Sequence, residues 1–106
     1  MVENMINEFM NAHMDMDGIF TEDMEAYFCL VQAKKRGMQV PRDFKIVGYD
    51  GNLISRFISP QVTTIAQNTR KLAETCAEVL RMRIEGMAVD EIYLVPVALR
   101  KGGTTD

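Results

Sequence analysis

The sequence contains no tryptophan, one histidine and only two cysteines, Cys29 and Cys76, among its 106 residues. The cysteines form no C-x-x-C pair and do not combine with the single histidine into a zinc-ligand spacing, so we expect no metal site. Both lie in helix-like stretches with apolar neighbours, which favours free, buried thiols in a cytosolic protein over a disulfide.

Long apolar runs and an excess of positive charge are also missing. No stretch approaches the roughly 18 apolar residues that a membrane span requires. No basic segment is followed by an apolar one near the start, so we expect no secretory signal. The net charge is −3, which argues against nucleic-acid binding by this chain alone. We therefore expect one small cytoplasmic domain with no membrane partner.

Sequence motifs of the common enzyme classes are absent. The chain has no P-loop, no dinucleotide-binding G-x-G-x-x-G, no H-E-x-x-H and no G-x-S-x-G. No spacing suggests an acid–base pair or an activated nucleophile. The sequence therefore predicts a protein that is not an enzyme and needs no cofactor.

Apolar periodicity predicts three helices, over residues 2–10, 24–36 and 68–85. On the middle helix, Met24, Tyr27, Phe28 and Val31 mark the expected buried face, with Thr21 as N-cap and Gly37 as the C-terminal stop. The basic residues 34–36 lie in its last turn, where they complement the helix dipole better than they suggest a phosphate site. The nine methionines of the chain are expected mainly in the core, with an exposed contact surface as the alternative.

Apolar and β-branched runs predict four strands, over residues 18–20, 44–49, 62–65 and 91–99. The first is too short to stand alone and is expected to be buried in the sheet. A strand, a helix and a second strand in succession form a βαβ unit, so the first two strands should be parallel. Pro96 should place the last strand at an edge or a bulge. Residues 52–61 are expected as a loop and 100–106 as a polar tail.

The stretch Lys45–Gly51 organises these elements. Ile46 and Val47 suit a buried strand, and Asp50 follows where the apolar run ends. In open α/β sheets, ligands bind beyond the carboxyl ends of the strands, which makes Asp50 a candidate ligand residue. Because Asp-Gly is also an ordinary turn signal, the residues alone leave both interpretations open.

The order of several motifs is more specific than any one of them. Val40-Pro41, the strand ending Gly48-Tyr49-Asp50, and Pro60 followed by Thr63-Thr64 and Gln67 resemble the effector-binding domain of LacI/GalR-type transcriptional repressors. Residues 19–26 resemble that family's strand followed by Asp-x-x-Ala, and residues 94–99 its closing strand. Gly102 differs, since many relatives carry arginine there. The resemblance covers nearly the whole chain.

This resemblance implies the fold: an α/β, partial periplasmic-binding-protein-like (type I), doubly wound parallel sheet, mostly the C-terminal lobe. Residues 1–106 would then be a C-terminal fragment that lacks the helix-turn-helix and the first lobe. By position, Asp50 matches a sugar-binding aspartate and Gln67 a glutamine that lines the cleft. Glu22 stands where relatives carry a small polar ligand contact, and it is equally explained as a solvated first-turn carboxylate.

The resemblance also implies the partners. The intact protein would bind a small-molecule effector, a sugar or related polyol, and would reach operator DNA only through its missing N-terminal domain. The helix at 68–85 would lose its usual packing partner and leave an apolar stripe exposed, which predicts a homo-oligomer. Two alternatives remain: a fragment of a periplasmic-type sugar-binding transport protein, and a free-standing interaction module.

Overall fold

The computed structural model describes all 106 residues. The chain divides into two compact units. The first comprises residues 1–66 together with 99–106, and the second comprises residues 67–98.

The first unit begins as a helix–strand–helix–strand series. Helix α1 spans Val2–Ala12, strand β1 Gly18–Phe20, helix α2 Asp23–Lys35 and strand β2 Lys45–Asp50. The short helix α3, Ile54–Phe57, lies in the stretch expected as a loop, and strand β3 is Thr63–Ala66. The strand order in the sheet is β1-β2-β3-β4, where β4 is Ala98–Arg100.

The predicted parallel pairing is confirmed. Ile19 of β1 aligns with Ile46 of β2, and Gly48 of β2 aligns with Thr64 of β3. The carboxyl ends of all three strands therefore lie at one edge of the sheet. Strand β1 is not buried as expected, because it lies at the end of the strand order and Phe20 is exposed.

The buried face of α2 differs from the one predicted. Met24 is exposed, and the other large side chains of the predicted face are only partly buried. Mostly small residues face the core instead, since a helix that lies close to a sheet has little room for large ones. The buried apolar residues of α2 are Ala26, Cys29, Leu30 and Ala33.

Three predictions at element ends need correction. The N-cap of α2 is Glu22, whose side chain accepts the Met24 N–H at 3.0 Å, whereas the Thr21 hydroxyl bonds to Glu25. The last strand is confined to Ala98–Arg100, because the region around Pro96 cannot pair continuously. The expected polar tail is partly core: Thr104 is fully buried, and its hydroxyl accepts the Thr63 N–H at 2.9 Å.

The second unit contains helix α4, Thr69–Ile84, and the segment that follows it. Asn68 caps α4 by accepting the Lys71 N–H at 3.0 Å. No residue of α4 is buried, and Leu80 and Ile84 are 61% and 77% exposed. This agrees with the exposed apolar stripe that the sequence predicts for the helix at 68–85. Cys76 is exposed and not buried as expected, since it lies on this same uncovered helix. No helix of the protein is both long enough and apolar enough to cross a bilayer.

Candidate functional site

The carboxyl edge of the sheet carries two of the three candidate ligand residues. Asp50 is the last residue of β2, and Glu22 follows the end of β1 by two positions. Gln67, the third, directly follows β3 as the half-buried first residue of the second unit.

The backbone at Asp50 has an unusual conformation. Its φ is +109°, a region that non-glycine residues rarely adopt. Gly51 follows with φ +74°, and a Cβ there would lie 2.6 Å from the Cβ of Ala66 on β3. Strained backbone of this kind concentrates at functional sites, where the surroundings must hold it in place. This observation favours the ligand interpretation of Asp50 over an ordinary turn.

The turn that follows Asp50 is held by side chains from three directions. Asp23 accepts the Asn52 N–H at 2.8 Å, and Ser55 donates its hydroxyl to the Asn52 carbonyl at 2.7 Å. Arg100 donates to the Gly51 carbonyl at 3.3 Å and also bonds to the Ser55 hydroxyl. The chain's own side chains thus fix the strained Asp50–Gly51 turn.

Asp23 is the centre of this arrangement. It is fully buried, and its second carboxylate oxygen accepts the Thr64 hydroxyl at 2.6 Å. A Cβ on Gly48 would overlap that oxygen, so only glycine leaves room for the carboxylate. One side chain therefore joins the start of α2 to β3 and to the turn after β2.

Glu22 is tied to the same turn. Its Oε1 accepts the Asn52 side-chain amide at 3.2 Å, while its other oxygen caps α2. The Oδ1 of Asn52 is buried and finds no donor within the chain. An amide oxygen without a donor is an acceptor still to be satisfied. The structure therefore brings Glu22 to the Asp50 turn through Asn52.

Two aromatic rings border the same edge. Phe20 and Tyr49 are both exposed, and their ring centroids lie 6.4 Å apart in an edge-to-face arrangement. Binding pockets typically combine such apolar surfaces with a few well-placed polar groups. The edge carries the Asp50 and Glu22 carboxylates beside an apolar surface.

Sequence reasoning missed several of these contributors. The sequence places Asp23 only in the family's Asp-x-x-Ala motif, although Gly48, which lies opposite it in the structure, is a signal that something approaches β2 closely. Asn52 and Arg100 were assigned to a loop and a tail, and no local pattern in the sequence indicates their partners.

Comparison with known proteins decides the family. The sequence pattern of the periplasmic binding protein-like domain matches residues 4–105. The chain belongs to this family. One relative is the HTH-type transcriptional regulator MalR of Clostridium butyricum. It is 37% identical over 76 residues, which cover 71% of this chain and 23% of MalR. The sucrose operon repressor of Pediococcus pentosaceus is 32% identical over 102 residues, 93% of this chain and 31% of that repressor.

Similar solved structures point the same way. The lac repressor dimer bound to operator and the anti-inducer ONPF has a TM-score of 0.89 at 28% identity, over 98% of this chain and 37% of that one. A LacI family regulator from Enterococcus faecium with bound ribose has a TM-score of 0.85 at 28% identity, over 97% of this chain and 40% of that one. The α/β fold of LacI-type effector domains is thereby confirmed. The chain spans 23–31% of the curated relatives named above.

Proposed function

We propose that this chain is the C-terminal, effector-binding part of a LacI-type transcriptional regulator whose effector is a sugar or a related polyol. The observation that carries the proposal is Asp50, which ends β2 in a strained conformation on a turn anchored by Asp23, Ser55 and Arg100. The relatives support the regulatory role, because they are named as transcriptional regulators and operon repressors.

The polar groups at the edge suit a ligand rich in hydroxyl donors. The Asp50 and Glu22 carboxylates and the Asn52 Oδ1 are all acceptors, and hydrogen bonds to carboxylates are about twice as strong as neutral ones. Phe20 and Tyr49 would contact the apolar C–H faces of a sugar ring. Gln67, which directly follows β3, is the third proposed ligand residue, and its amide can both donate and accept.

The regulatory mechanism follows from differential binding. An effector that binds one arrangement of the intact regulator more tightly than another shifts the population towards that arrangement. Operator DNA would be contacted by an N-terminal helix-turn-helix outside these 106 residues, and this domain would lie in the cytoplasm and have no enzymatic activity.

We further propose that the chain forms a homo-oligomer. The apolar face of α4 together with the segment after it forms an open groove of about 380 Å³, lined by Leu72, Cys76, Val79, Leu80, Tyr93 and Val95. Exposed apolar surface of this kind is a recurrent sign of a protein contact.

A transport-type sugar-binding protein is the second candidate. One similar structure, from Alkaliphilus metalliredigens in complex with D-xylulofuranose, is described as a periplasmic binding protein/LacI transcriptional regulator; it is 35% identical with a TM-score of 0.84. The two candidates differ in whether the intact protein binds operator DNA.

The test uses the intact protein that contains this chain. A thermal-shift panel of sugars, polyols, nucleosides and amino acids identifies the effector class, and fluorescence anisotropy with DNA from the upstream region of its gene tests operator binding. We expect a sugar or polyol to raise the melting temperature and to change the affinity for DNA. A protein that binds a sugar but no DNA would support the transport function, and a response only to nucleosides or amino acids would overturn the proposed effector class.

A further inference from the structure

A second cavity lies at the opposite end of β2 from Asp50. Its volume is about 260 Å³, a little below the roughly 300–1,000 Å³ of pockets that hold drug-sized ligands. This half-open cavity is bordered by the residues at the C-terminal ends of α1 and α2 and by Phe44, which immediately precedes β2. The walls are mostly thioether and aromatic groups, from Met10, Met14, Met16, Met38 and Phe44.

Arg36 brings an unusual charge to these apolar walls. Its Nη2 donates to the Asn7 carbonyl at 3.2 Å and to the side-chain oxygens of Asn7 and Asn11 at 2.8 Å each. All of these acceptors are neutral, and Arg36 forms no ion pair with a carboxylate. The guanidinium at this cavity therefore has no carboxylate partner within ion-pair distance.

The Nε of Arg36 is buried and finds no acceptor within the chain. A buried donor without a partner destabilises the fold, and more so when the group is charged. His13 also lines the cavity, and its imidazole can donate a further hydrogen bond. The neighbouring basic residues do not share this role, since Lys34 donates to the Ser59 carbonyl and Lys35 pairs with Glu3.

From these features we infer that the cavity binds a small organic monoanion with an apolar tail, such as a short- or medium-chain carboxylate. The carboxylate would pair with the Arg36 guanidinium, and the tail would lie against the methionines, whose flexible thioethers adapt to varied apolar shapes. A cation is less well suited, because the carbonyls at the end of α2 already accept hydrogen bonds from Arg36, Gly37 and Met38. This site is separate from the one at the carboxyl edge of the sheet.

The experiment follows the methionine methyl groups by NMR in methyl-¹³C-labelled protein during titration with octanoate, octanol and octylamine. We expect octanoate to shift Met10, Met14, Met16 and Met38 and to leave Met82 and Met87 of the second unit unmoved. Octanoate should bind about tenfold or more tightly than octanol, the effect of one charge-assisted hydrogen bond. Equal binding of octanol, or shifts spread over all methionines, would contradict the inference.

Variants at Met14 test the charge without risk to the fold, because this side chain is 80% exposed. Met14→Glu should weaken octanoate binding and Met14→Lys should strengthen it, whereas Met87→Glu should change nothing. Arg36→Gln should abolish the preference for octanoate over octanol, and Arg56→Gln is its matched control. A folded Arg36→Gln protein that kept the preference for octanoate over octanol would contradict the inference. So would a response of the four methionine methyl groups to Ag⁺, a soft cation that thioether sulfur can bind, without any response to octanoate.

Discussion

The Thr64 hydroxyl donates to Asp23 Oδ1 at 2.6 Å, and neither side chain reaches solvent. Through this contact the start of α2 is fixed to β3. The other oxygen of the same carboxylate holds the Asn52 N–H at 2.8 Å. The candidate ligand edge is thus assembled around a buried carboxylate that need not touch ligand itself.

Replacing Asp23 with alanine should destabilise the chain markedly. The substitution leaves the Thr64 hydroxyl and the Asn52 N–H buried without acceptors, at a cost of about 2–4 kcal/mol in the free energy of unfolding. Urea denaturation measures the change. Asp15→Ala, at an exposed carboxylate in the turn after α1, is the matched control and should remain within about 0.5 kcal/mol of the parent. A similarly small change for Asp23→Ala would show that the buried network contributes little.

Gly48→Ala should destabilise the protein through steric overlap. The new methyl group would overlap the Asp23 carboxylate and lie 3.1 Å from Val62 Cγ1. Overpacking of this kind costs about 1–3 kcal/mol. A double-mutant cycle with Asp23→Ala separates the two contacts. The combined loss should be clearly smaller than the sum of the single losses, because Asp23→Ala removes the main obstacle. Simple additivity would contradict this explanation.

Arg100→Gln should loosen the Asp50–Gly51 turn. The variant loses the bonds to the Gly51 carbonyl and the Ser55 hydroxyl, and we expect a loss of about 1–2 kcal/mol in stability. Effector affinity should also fall, since Asp50 would no longer be held in advance. Arg56→Gln removes an exposed arginine of α3 and should alter neither quantity. Unchanged affinity in Arg100→Gln would mean that this anchor does not position the site.

The two cysteines should differ sharply in reactivity. Burial, with a smaller contribution from the Glu25 charge, raises the pKa of the Cys29 thiol from 9.0 to about 11. Because the thiolate is the reactive form, a thiol reagent at pH 8 should label Cys76 in the folded protein and Cys29 only after unfolding. Mass spectrometry of the labelled peptides measures both sites, and rapid labelling of Cys29 in the native protein would contradict its placement in the core.

The same shift predicts a pH dependence of stability. Between pH 9 and 11 the folded state keeps the Cys29 proton that the unfolded chain loses, so the free energy of unfolding should fall as the pH rises through this range. Cys29→Ala should reduce that slope, whereas Cys76→Ala should leave it unchanged.

The sequence anticipated the elements better than the contacts between them. Periodicity placed the helices and the parallel strands within a few residues, because the apolar pattern is local. It misplaced the buried face of α2, where close packing on the sheet selects Ala26, Cys29 and Ala33 over larger neighbours. It also read residues 100–106 as a tail, although Thr104 bonds to residues far away in sequence.

The candidate site shows the same division. Asp50 was found from its position at the end of a strand and from the family resemblance, both of which are visible in the sequence. Its anchors Asp23 and Arg100 depend on contacts between distant segments, and no local pattern could reveal them. The proposed ligand roles of Asp50, Glu22 and Gln67 remain predictions.

The most direct test of the effector site is the affinity of the intact regulator for its best sugar before and after Asp50→Asn, measured by isothermal titration calorimetry. Asparagine tolerates positive φ and keeps the shape of the side chain, so the turn should survive while the charge is lost. We predict that the dissociation constant rises about tenfold or more, with the melting temperature of the ligand-free protein nearly unchanged. An unchanged dissociation constant in the folded variant would contradict the assignment of this edge as the effector site.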